Sequence, residues 1–80
     1  MVWIRHTVAI DRTELARISL SHVRLWPGCE TVVSIAVLSM PPDRFALRVI
    51  EYGMTPVKLA DRALRAIERE ALRYYHLKAN

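Results

Sequence analysis

The chain has 80 residues, 52% of them hydrophobic, with 12 Lys and Arg against 8 Asp and Glu and a formal net charge of +4. That is one small domain with no room for a second, and it is too apolar to be a disordered chain. A domain this small buries only about 60–65% of the surface of its unfolded form, so its stability margin is thin. The positive balance favours anionic partners; it bears on association and solubility rather than on fold.

Cys29 is the single cysteine. It excludes an intramolecular disulfide framework and suggests a reducing compartment. No stretch approaches the roughly 20 apolar residues of a membrane span. The opening residues MVWIRHTVAID lack a basic leader followed by an apolar region and a small-residue cleavage site, so a cytoplasmic location is expected. There is no internal repeat and no low-complexity tract.

Val2 to Ile10 alternates: Val2, Ile4, His6, Val8 and Ile10 against Trp3, Arg5, Thr7 and Ala9. This is the period of a strand. Asp11 and Glu14 then form the pattern of a capping box. Leu15, Ile18, His22 and Leu25 recur at helical spacing, which predicts a helix over Arg12 to Leu25. A strand stays open there, because Ile18, Leu20 and His22 also alternate. Trp26-Pro27-Gly28 ends the element in either case. Thr31 to Met40 is a β-branched run, Met40-Pro41-Pro42-Asp43 a turn, and Phe45 to Tyr52 a second strand, so the two make an antiparallel hairpin. Arg48 and Tyr52 share a face of that strand. Gly53 breaks it.

Thr55-Pro56 opens the last helix, with threonine as the cap and proline at the first helical position. Val57, Ala60, Ala63, Leu64, Ile67, Ala71, Tyr74 and Tyr75 fall on one side at about 100° per residue, and the pattern runs to Leu77. The expected fold is α+β in the order β-α-β-β-α: a small three-stranded mixed sheet with two helices, the C-terminal one long. Thr31 to Met40 is apolar on both faces, with Val33, Ile35 and Val37 on one and Val32, Ala36, Leu38 and Met40 on the other. A sheet with helices on one side should show a polar outer face. Either the helices cover opposite faces or the second face meets another copy, and a homodimer is the expectation.

Lys58, Arg62, Arg65, Arg69 and Arg73 recur on the last helix at steps of four, three, four and four, and His76 adds a sixth position. They project within an arc of about 80° that holds no acid. Such a stripe can follow a phosphate backbone, each neutralised phosphate releasing counterions. It also lies opposite the core, where solvated charge belongs, and Asp61–Arg65 and Glu70–Arg73 read as ordinary helix-surface pairs. No helix-turn-helix, RNP or GXXG pattern supports nucleic-acid binding. The aromatic rings of Tyr52, Tyr74 and Tyr75 fit a core or dimer contact better than base stacking. Cys29 with a histidine could form a nucleophile and base or part of a metal site, yet His6, His22 and His76 show no ligand spacing. His22 reads as a packed, hydrogen-bonded histidine. With two glycines there is no phosphate-cradling loop, and no cofactor is expected.

Trp26-Pro27-Gly28-Cys29-Glu30-Thr31-Val32, Phe45-Ala46-Leu47-Arg48-Val49, Tyr52-Gly53 and Leu59-Ala60-Asp61-Arg62-Ala63 resemble a group of small uncharacterised proteins of rhizobia and related alphaproteobacteria. The resemblance runs from about Leu25 to Leu77. It implies a bacterial cytoplasm and a natural unit of WPGCE, hairpin and basic helix, and it carries over no functional residue. The leading expectation is a non-enzymatic, homodimeric interaction module. The runner-up is a nucleic-acid-binding domain, and a small enzyme or thiol sensor built on Cys29 stands third.

Overall fold

The computed structural model describes residues 7–41 and 44–78. Within them the elements are β1 (Val8–Ile10), α1 (Arg12–Val23), β2 (Ser34–Met40), β3 (Arg44–Glu51), α2 (Val57–Tyr74) and β4 (Tyr75–Leu77). The fold is α+β, but not with one three-stranded sheet. It has two two-stranded sheets: β1 runs parallel to β4, and β2 pairs antiparallel with β3. The order gains a strand at its end because the final helix stops at Tyr74. Tyr75 turns extended (φ −130°, ψ 153°), and Tyr75, His76 and Leu77 pair with Val8, Ala9 and Ile10. The expected first strand survives as Val8–Ile10, and its upstream part, residues 2–6, lies outside the described residues. So do residues 42–43 of the expected turn.

α1 is a helix, as one of the two local patterns predicts. Its buried stripe is Leu15, Ser19 and Val23, a single row at steps of four, rather than a face reaching to Leu25. Leu25 is 80% exposed and His22 is also exposed. The helix ends two residues early because the chain turns: the Leu25 and Trp26 N–H groups donate to the His22 and Val23 carbonyls. The Arg24 Nε–H donates to the Val32 carbonyl at 2.8 Å. Asp11 occupies the N-cap position without a side-chain cap bond. Glu14 does not reach back to it, because Arg17 takes its carboxylate in a bidentate pair one turn on.

The WPGCE segment is a structural turn. Pro27 and Gly28 fill its central positions, Gly28 at φ +88°, and the Cys29 N–H donates back to the Trp26 carbonyl at 3.0 Å. That is the arrangement of a type II turn, which requires positive φ at its third residue. A side chain at Gly28 would also press on Leu59. The turn drives Cys29 and Val32 into the core at zero exposure.

In the hairpin, Ile35, Val37, Phe45 and Leu47 point inward and are buried. Pairing is regular from Ile35↔Val49 to Met40↔Arg44, then slips by one: Ser34 faces Glu51 and leaves Ile50 as the extra residue of a β-bulge. The bulge re-aims the residues beyond it. Tyr52 packs against the core on the side of α2. The outer face stays uncovered, with Leu38 at 45%, Met40 at 49% and Ile50 at 58% exposure. The helices therefore do not cover opposite faces of the hairpin.

α2 lies against β3, with Ala60, Ala63 and Leu64 buried. Two alanines in that stripe allow a close approach. Thr55 is not its cap. The N-cap residue is Pro56, and the Thr55 hydroxyl shares a hydrogen bond with the Thr31 hydroxyl at 2.9 Å. Val57 and Tyr74, expected on the apolar side, are 53% and 55% exposed, since the core contacts of the helix run from Leu59 to Leu72 and leave its two ends out.

Candidate functional surfaces

The five helical cations of the predicted stripe, Lys58, Arg62, Arg65, Arg69 and Arg73, all lie on α2 and are all exposed. His76 does not belong with them. It sits on β4, half-buried, and its Nδ1 shares a hydrogen bond with the Thr7 hydroxyl at 2.7 Å. Extended backbone places it off the helical arc, so that part of the predicted site is corrected.

The acids beside the stripe are placed differently from expectation. Asp61 is bound to Tyr52 and not to Arg65: its carboxylate accepts the Tyr52 O–H at 2.7 Å. This bond, with burial and the Asp61 charge adding to it, raises the phenol above its ordinary range, while Arg48 pulls the other way. Glu68 reaches across to β3 and accepts the Leu47 N–H at 2.8 Å. Glu70 does pair with Arg73, at 3.7 Å and with both side chains more than half exposed. Such surface pairs contribute about 0–1 kcal/mol.

Two depressions flank α2. One, of about 320 Å³, lies between α2 and β3 and holds Arg48, Tyr52, Asp61, Arg65 and Glu68. The other, of about 470 Å³, lies between α1 and α2 and is mainly apolar. Sequence reasoning missed both, because each is walled by residues far apart in the chain.

Cys29 is fully buried. Burial, and next the charge of Glu30, push its thiol above the ordinary range, opposite to what a thiolate nucleophile needs. Glu30 itself is lowered by its own backbone N–H and by the Gly28 N–H, which donates at 3.2 Å. Among the described residues, no three His, Cys, Asp or Glu side chains gather as a metal site would require. No described helix is long and apolar enough to cross a membrane. No family model, no curated protein and no solved structure matches the chain.

Proposed function

We propose that the chain is a non-enzymatic interaction module that associates with itself through the outer face of the β2–β3 hairpin. The observation that carries this reading is the exposure of Leu38, Met40 and Ile50 on one face of a sheet. Arg44, Arg48 and Glu51 stand among these side chains on the same face, and exposed apolar side chains set among charge fit a contact surface. A two-fold axis suits it, since the same patch then serves both copies. The work of such a module lies in the bacterial cytoplasm, as the resemblance to the small rhizobial proteins implies. Light scattering coupled to size exclusion tests it: the wild type runs at twice its 9.2 kDa, and Leu38→Glu/Ile50→Glu runs as a folded monomer. A 9 kDa particle for the wild type at micromolar concentration refutes it.

A second reading is favoured by the five exposed cations on one arc of α2, with net charge +4 behind them: a nucleic-acid-binding face that holds phosphates. Titration against mixed-sequence DNA and RNA at two salt concentrations tests it. Engagement of four or five phosphates makes log K fall with log salt at a slope of about −3 to −4.5. Salt-independent affinity, or no binding at micromolar protein, leaves the stripe as solvated charge.

A further inference from the structure

The cavity between α1 and α2 is the feature that neither reading uses. Its walls are Leu15 and Ile18 from one helix and Ile67 and Ala71 from the other. Three observations at this place point to an occupant. First, Ser19 lines the cavity at 1% exposure, and its Oγ is buried without any hydrogen-bond partner. Buried hydroxyls are nearly always paired, so an orphan invites an explanation. Second, the rings of Trp26, Tyr74 and Tyr75 line the same cavity, and Tyr74 is 55% exposed. An aromatic ring attracts a cation that lies over its face. Third, Glu70 is the one Asp, Glu, Lys or Arg in the lining. In a chain of net charge +4 this cavity carries an acid and no Lys or Arg, and Arg73 engages Glu70 only loosely, at 3.7 Å.

We propose that this cavity is a binding site for a small organic cation, a protonated amine on a flat apolar body. The body lies between α1 and α2 against Leu15, Ile18, Ile67 and Ala71. The ammonium meets Glu70 and the aromatic rings. A polar group on the ligand gives Ser19 the partner it lacks. The Ser19 Oγ is itself buried, so this contact requires the side chains over it to move aside. The volume of about 470 Å³ falls in the range of small-molecule pockets. This site is independent of the proposed self-association, because no hairpin residue lines it.

The test uses two probes with similar bodies, a hydroxyl each for Ser19, and opposite charges, 2-amino-1-phenylethanol and 3-hydroxy-3-phenylpropionate, titrated into the whole ¹⁵N-labelled chain. The amine produces saturable amide shifts at Ser19, Ile67 and Ala71 and binds about tenfold more tightly than the acid. Glu70→Gln removes that preference. Ser19→Ala weakens amine binding severalfold while the free protein unfolds at the same or a higher denaturant concentration, since the orphan hydroxyl is gone. Equal affinity for amine and acid overturns the proposal. So do shifts confined to the basic face of α2 or to the hairpin, and so does the absence of saturable shifts up to about 10 mM ligand, a range in which even millimolar binding shows.

Discussion

Replacing Glu68 with alanine opens the free edge of β3. In the native chain Leu47 faces Val37, yet its N–H points away from β2 and into the Glu68 carboxylate at 2.8 Å. Hydrogen bonds to charged groups contribute about 1.5–3 kcal/mol. Glu68 is half-buried, so the low end applies, about 1.5 kcal/mol. With a urea slope near 1 kcal/mol/M for a small domain, Glu68→Ala lowers the unfolding midpoint by about 1.5 M. Glu68→Gln keeps a neutral acceptor and loses about half as much. Far-UV circular dichroism in urea measures both, and hydrogen exchange locates the effect at the Leu47 amide, whose protection falls in the alanine variant. A midpoint within roughly 0.3 M of wild type, with Leu47 still protected, refutes the argument that Glu68 closes this edge.

Gly53 sits at φ +61°, and a Cβ there would collide with the Thr31 carbonyl oxygen. Gly53→Ala therefore costs more than the roughly 1–3 kcal/mol of left-handed backbone strain alone, read as a fall in urea midpoint without change of slope. Phe45→Ala, at a position 1% exposed, costs about 3–5 kcal/mol. The whole domain has about 4–12 kcal/mol at ordinary per-residue stability, so circular dichroism shows the variant partly unfolded at 37 °C. The raised Cys29 thiol favours the neutral form in the folded state. Its contribution to stability is complete below the unfolded thiol's pKa and is lost as pH climbs through the folded value. Urea midpoints that rise with pH across the alkaline range would contradict this. Dithionitrobenzoate at pH 8 reacts with Cys29 at the rate at which the fold opens, and rapid labelling of the native protein would show that the thiol is accessible.

Local chemistry made much of the fold legible. The α2 period, the β-branched run of β2 and the break at Gly53 are each written within a few neighbouring residues. What escaped the sequence is set by distant partners. Tyr74 to Leu77 continues the helical pattern, and only the presence of β1 explains why the backbone straightens at Tyr75. Alternation puts Tyr52 on the face of Arg48, and a one-residue bulge at Ile50 cannot be seen in alternation. Asp61 read as a helix-surface partner of Arg65, and nothing local marked Glu68. Each is instead claimed by β3 or the residue just past it, through Leu47 and Tyr52. On the stripe itself, Lys58 to Arg73 was readable from spacing, and His76 failed because its helix had already ended. The cavity at Ser19 had no local signal, since a serine in a helix looks the same whether or not its hydroxyl finds a partner.

The parallel pairing of β1 with β4 has a kinetic consequence. It joins residues 67 positions apart, as in Val8↔Tyr75, through strands of three residues each. The chain must close almost its full length before this contact repays the entropy lost, and the repayment is small. The hairpin and the helices can assemble first, so the β1–β4 clasp should form late and be the first part to open under native conditions. In hydrogen exchange the amides of Ala9 and His76 would then lose protection together, ahead of Phe45 and Leu64, as one cooperative unit drawn from opposite ends of the described chain.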